Sequence, residues 1–331
     1  MNAGARLGLY GAGLVVVFGA VFAASGALAP QGAAQAWEAK ASAGQEHGNH
    51  VDQGAAAPDA AADATASAAG TTLAANGYTL GSISAPATAG QKGELRFALN
   101  GADGQAATGL EEAHQKQLHL IVVRSDGAHF RHVHPVFDAA SGTWGLPWSW
   151  DAAGSYRVYT DFVGQGGEAT TLSRTVDVAG ELTPAASVPA AQPGAAGGRE
   201  ASVDGYTVRL DGELSAGAPS TLKVQITDAS GAAVERQPYL GAFGHLVTLR
   251  QGDLAFLHSH PEGKEASQGS VSRDPLGFAV TAPTAGRYFL YVDFQVNGTV
   301  HSAAFQVDAK HAATAPSGGS ESPQLEPSAT E

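Results

Sequence analysis

From residue 77 onward, apolar side chains recur at every second position in short runs separated by Gly, Asp, Asn and Pro. Leu95-Arg96-Phe97-Ala98-Leu99 and Leu222-Lys223-Val224-Gln225-Ile226 show the alternation clearly. A period of two lines one face of a pleated strand with the apolar set. Nothing in this part of the chain carries the 3.6-residue period of an amphipathic helix. Candidate strands near residues 78, 95, 120, 131, 146, 158 and 174 make about seven in roughly a hundred residues, the density of an immunoglobulin-like sandwich.

The pattern then returns about 128 residues further on. Gly77-Tyr78-Thr79 matches Gly205-Tyr206-Thr207, His119–Arg124 (HLIVVR) matches His245–Arg250 (HLVTLR), and His132-Val133-His134-Pro135 matches His258-Ser259-His260-Pro261. Ala153-Gly154-Ser155-Tyr156 likewise matches Ala285-Gly286-Arg287-Tyr288, and an Ala-Gly-x-Tyr segment entering an alternating strand predicts a tyrosine corner. The fold class expected is therefore all-β: two tandem immunoglobulin-like β-sandwich domains, residues 73–180 and 203–308.

Asp126-Gly127 lies between two apolar stretches and reads as a two-residue hairpin turn. That register pairs His119 with His134 and Ile121 with His132, so His119, His132 and His134 share one strand face. A turn at Gly252-Asp253 does the same for His245, His258 and His260. Opposed Cβ atoms lie about 5 Å apart, within imidazole reach of a common ion. Each triad has the ligand set of a His₃ metal site with an open fourth position, suited to copper(II) or zinc. The competing reading makes these histidines polar edge residues bonded to backbone or to Tyr. Asp161 and Asp293 are candidates for a fourth ligand or for the acceptor that orients a ligating His. His114, His129 and His301 have no counterpart in the other copy and read as surface residues, and the insertion 262–276 reads as a flap over the second triad.

Composition sharpens this picture by exclusion. The chain has 331 residues, 12 His, no Cys and a single Met, which is Met1. Disulfides, thiolate zinc sites, cysteine nucleophiles and sulfur-rich copper(I) sites are all ruled out. Thirty-one Asp and Glu against 18 Lys and Arg give a net charge of −13, which argues against nucleic acid as a partner. No G-x-S-x-G elbow, phosphate-binding Gly loop or H-E-x-x-H is present, so no enzyme is expected; a zinc-dependent hydrolase is the least favoured alternative.

The flanks set the compartment. Leu7 to Ala29 is an uncharged apolar run, long enough to cross a bilayer, which takes roughly 20 residues. Residues 1–29 are expected to be a transmembrane anchor with the bulk of the chain outside; the alternative is a signal cleaved after Ala27-Leu28-Ala29. Residues 30–72, 181–202 and 309–331 are poor in apolar bulk and read as a disordered tether, a linker and a tail.

This layout, with "HLIVVR…HVHP" and "YLGAFGHLV…HSHP" in its two sandwiches, resembles a group of uncharacterised actinobacterial membrane-anchored secreted proteins often labelled heavy-metal-binding. The resemblance spans roughly residues 77 to 308. It implies copper or another metal in envelope homeostasis, with the two triads as ligands. The chain departs from periplasmic copper carriers of the CopC type in having no His at a mature N-terminus. The expectation is a membrane-tethered extracytoplasmic protein that buffers copper(II) or zinc or passes it to a membrane transporter. The alternative is a metal-free structural or interaction protein of the cell envelope.

Overall fold

The computed structural model describes residues 70–184, 192–193, 199–257, 259–262 and 266–311. The expected anchor, nearly all of the tether, most of the linker, the tail beyond residue 311 and His258 lie outside the described residues. Among the described residues no helix is long and apolar enough to cross a membrane.

Every element described is a strand. The first copy contains β1 (Ala74–Ala75), β2 (Tyr78–Ser84), β3 (Gly93–Asn100), β4 (His119–Arg124), β5 (Arg131–Val133), β6 (Val136–Asp138), β7 (Thr143–Trp148), β8 (Gly154–Val163) and β9 (Ala169–Val178). The second contains β10 (Gln192–Pro193), β11 (Arg199–Val203), β12 (Tyr206–Asp211), β13 (Leu214–Ala216), β14 (Pro219–Thr227), β15 (His245–Arg250), β16 (Phe256–Leu257), β17 (Ser259–Glu262), β18 (Leu276–Thr281), β19 (Gly286–Val296) and β20 (Thr299–His311). In the first copy the sheets run β1-β2-β3-β7-β6 and β5-β4-β8-β9; in the second, β10-β11-β12-β14-β18-β17 and β13-β20-β19-β15-β16. Setting aside the added edge strands, both copies carry the ABED and CFG order of an immunoglobulin sandwich.

Alternation builds each core as expected. Leu95, Phe97 and Leu99 of β3 meet Leu120, Val122 and Val158 across the first sandwich. Leu222, Val224 and Ile226 of β14 meet Leu246, Leu290 and Val292 across the second. Both tyrosine corners form: Tyr156 Oη donates to the carbonyl of Ala152 at 2.9 Å, and Tyr288 Oη to that of Thr284 at 2.8 Å.

The hairpin register is as predicted, but the hairpins are shorter. Ile121 opposes His132 and Leu120 opposes Val133, whereas the connection is residues 125–130 rather than a two-residue turn. In the second copy Thr248 opposes Leu257 and Leu249 opposes Phe256. Neither ladder reaches the second His of its H-x-H-P. After β5 the chain leaves for the other sheet through His134 and Pro135, and β17 already belongs to that sheet, with His260 opposite Ala279. The expected His119–His134 and His245–His260 strand pairs therefore do not form. A proline cannot donate to the ladder, and here it follows the crossing point in each copy.

The two sandwiches are fused. β4 is buried along its whole length, because alternate residues serve different cores. Leu120 and Val122 point into their own sandwich, while Ile121 and Val123 join Tyr159 and meet Val247, Leu249, Leu254, Phe256, Phe289 and Tyr291 of the second copy. The contact is reciprocal. Tyr159 Oη donates to the carbonyl of Leu254 at 2.5 Å, and its counterpart Tyr291 to that of Gly127 at 2.6 Å. Phe130 stacks on Tyr291 with ring centroids 3.9 Å apart. Gly127 has φ +85, and a Cβ there would lie 2.6 Å from the Phe289 ring, so close approach requires glycine.

Candidate metal centre

At one end of this seam the side chains become polar. His119 begins β4, directly opposite Asp161 of β8; His132 is central in β5; His134 follows at the crossing between sheets. Their ligating nitrogens all lie within 4.8 Å of one another. His119 Nδ1 is 3.1 Å from His132 Nε2 and 3.2 Å from His134 Nε2. Three nitrogens around a tetrahedral ion at metal–nitrogen distances of 2.0–2.1 Å would stand roughly 3.3 Å apart, close to the two spacings that His119 Nδ1 makes with its neighbours.

The outer nitrogens decide what the inner ones can do. His119 Nε2–H donates to the carbonyl of Ala113 at 3.1 Å. His132 Nδ1–H donates to Asp293 Oδ2 at 2.8 Å. A carbonyl and a carboxylate are acceptors only, so each ring carries its proton on the outside. The inner nitrogens of His119 and His132 then present lone pairs to each other at 3.1 Å. Such a contact needs positive charge between the rings, either a proton or a metal ion. Burial, reinforced by the neighbouring His132, lowers His119 to about 4. Burial, with His132 and His119 adding to it, lowers His134 to about 3.

The acidic residue that orients His132 comes from the other copy. Asp293 is 1 % exposed and also accepts from Ser302 Oγ. Asp161, the acid within the first copy, faces His119 in the ladder and accepts from Thr171 Oγ1 at 2.5 Å. Of the two candidate aspartates, it is therefore Asp293, from the other copy, that orients a histidine of the first triad. Facing sheets rather than neighbouring strands bring the groups together.

Of the second predicted triad, His245 alone has its side chain described. His245 lies opposite Asp293, and its Nε2–H donates to the carbonyl of Tyr239 at 2.7 Å, as His119 does to Ala113. Burial lowers it to about 4. His260 is placed by its backbone alone, on β17, and His258 lies outside the described residues. The rings of His132 and His245 are 6.3 Å apart between centroids, so the seam gathers histidines of both copies.

Of the residues read as surface groups, His301 is buried, whereas His114 is exposed as expected. His301 is 8 % exposed, paired through Nδ1 with Asp204 at 2.7 Å and set against Phe294 and Tyr206. His114 is exposed, yet it stands beside both His119 and His245. Sequence offered no cue to the partners His245 and Asp204, which lie about 100 residues or more away along the chain. Of the expected flap, residues 263–265 lie outside the described residues, while Ala266 bonds back to the carbonyl of Gly241 at 2.9 Å.

Fold and site together define a class: tandem immunoglobulin-like sandwiches fused face to face, with a histidine cluster at the seam. A family model described as a domain of unknown function (DUF8832) matches residues 73–180 and again 201–311, and the chain belongs to that family with two copies of its domain. The family's description attaches no metal and no activity to it. No curated protein matches the chain. Among solved structures, InvD of Yersinia pseudotuberculosis aligns at 14% identity over 77% of this chain and 62% of its own, with a TM-score of 0.22. A putative membrane anchored protein from Corynebacterium diphtheriae aligns at 12% over 72% and 60%, with a TM-score of 0.20. Invasin, a bacterial integrin-binding protein, aligns at 15% over 70% and 39%, with a TM-score of 0.21. The chain spans about three-fifths of the first two structures. Superpositions this loose carry no argument about function.

Proposed function

We propose that this chain is an extracytoplasmic binding module that holds one divalent transition metal, copper(II) or zinc, on His119, His132 and His134. The extracytoplasmic placement rests on the apolar segment Leu7–Ala29. One observation carries the metal reading: two inner nitrogens with lone pairs facing each other at 3.1 Å, held so by Ala113 and Asp293. A bound ion would convert that repulsion into two bonds, and the Asp293–His132 pair would supply the carboxylate–histidine support common to metal sites. Nitrogen donors alone favour zinc or oxidised copper over copper(I). Buffering, or delivery to a membrane transporter, follows from a site of this kind on a tethered domain.

A second reading makes the same cluster a metal-free latch within a structural or interaction protein of the envelope. The seam favours it, since the histidines lie at its edge and a proton shared between His119 and His132 would also satisfy the contact. Calorimetric titration of the full chain with copper(II) and with zinc, repeated for His132→Ala/His134→Ala, separates the two. Binding tighter than about 10 μM, roughly −7 kcal/mol, that loses this site in the double variant supports the metal centre. The absence of such binding, with the seam weakened in the variant, leaves the latch.

A further inference from the structure

The site above does not use His114. Its side chain is exposed, but its ring stands edge-on to two buried histidines of different sandwiches, 6.1 Å from His119 and 5.5 Å from His245 between centroids. The backbone explains how an exposed ring is held there. Ala113–Lys116 is a tight turn closed by two bonds, Ala113 N–H to the Lys116 carbonyl at 2.9 Å and Lys116 N–H to that of Ala113 at 3.1 Å. His114 and Gln115 occupy its centre at φ 50 and 62.

Turns of this left-handed type ordinarily take Asn or Gly at both central positions. The second copy builds the same turn over Tyr239–Ala242, with bonds of 2.8 and 3.2 Å, from Leu240 and Gly241 at φ 53 and 78. It thus uses glycine at the second position and buries the leucine at the first. The first copy keeps two ordinary side chains in an unfavourable conformation and points an imidazole where its twin packs a hydrocarbon. Backbone strain of this kind tends to accumulate at functional positions.

His114 also lines a cleft whose wall includes Glu112, Glu262 and Asp274, while no Lys or Arg occurs among its described lining residues. A concave, acid-lined mouth concentrates cations. We propose that His114 is the capture ligand of the metal centre. It takes a divalent transition cation from the cleft and yields it to His119, His132 and His134 by ligand exchange, with no change in oxidation state. This rests on the metal-binding reading and extends it to the route of uptake.

The test is rapid mixing of copper(II) with the metal-free full chain, following quenching of aromatic fluorescence, for the wild type and His114→Asn. Asparagine accepts the left-handed backbone and so preserves the turn. His129→Asn serves as control, since His129 is also left-handed, at φ 54, and lies on the β4–β5 connection. Association is expected to slow about tenfold in His114→Asn, with the equilibrium constant within about threefold of wild type and the control unchanged. Tight wild-type binding with an unchanged rate in His114→Asn overturns the capture role and leaves the metal centre standing. An equilibrium loss as large as that of His134→Ala makes His114 a resident ligand and also overturns it. No binding by the wild type removes both proposals.

Discussion

Asp293→Asn removes the ionised acceptor that holds His132 with its Nε2 lone pair inward. Copper(II) or zinc affinity is expected to fall about 10- to 100-fold, read by competitive titration, and an unaltered affinity would show that Asp293 does not orient a ligand. The lowered histidines link stability to pH. The unfolded chain takes up protons near the ordinary imidazole value of about 6.5, whereas His119 and His245 wait until about 4 and His134 until about 3. The unfolded state therefore binds more protons between these values, so stability is complete above about 6.5 and drains away as pH falls toward 4. Urea midpoints of the chelator-treated chain should drop across that window; a level midpoint would mean that these rings are not buried neutral. Sequence alone places the loss of metal affinity in the ordinary imidazole range. For His119 and His134, burial is expected to move proton competition down toward about 4 and about 3.

At the scale of elements, the repeat is most informative where its copies differ. The turns at Ala113–Lys116 and Tyr239–Ala242 have one geometry but only the second uses glycine. Gln115→Gly should therefore stabilise the chain by about 1 kcal/mol, the cost of an ordinary residue in the left-handed region, measured by denaturant unfolding. A destabilised variant would mean that the Gln115 side chain makes compensating contacts. Strand existence, the β4–β5 register and the tyrosine corners were all readable, because period two and turn chemistry are local. The failure came where each strand run crosses between sheets, at His134-Pro135 in the first copy and between Leu257 and Ser259 in the second. Alternation shows which face a residue takes, but not where the chain changes sheets.

At the scale of the molecule, the seam buries one apolar cluster drawn from both homologous domains, which are therefore expected to unfold together. Phe289 is 1 % exposed within a cluster drawn from both copies. Phe289→Ala should cost about 3–5 kcal/mol, and calorimetry of the wild type should give a single transition with equal calorimetric and van't Hoff enthalpies. Two resolved transitions would show that the sandwiches unfold independently and that the seam contributes little. A cue to the seam is present in HLIVVR and HLVTLR, whose apolar runs lack the alternation of a strand with one wet face.

The sequence by itself determined the all-β class, the duplication, the strand faces and the histidines of the first cluster, since these depend on periodicity and on neighbours within about fifteen residues along the chain. Only the tertiary structure decided that the sandwiches pack face to face, that Asp293 of one copy orients His132 of the other, that His301 is buried beside Asp204, and that the exposed His114 stands beside His245. These features depend on contacts between residues about 100 to 160 positions apart. Local patterning does not encode such contacts; they form when two apolar faces bury each other and bring their polar margins along.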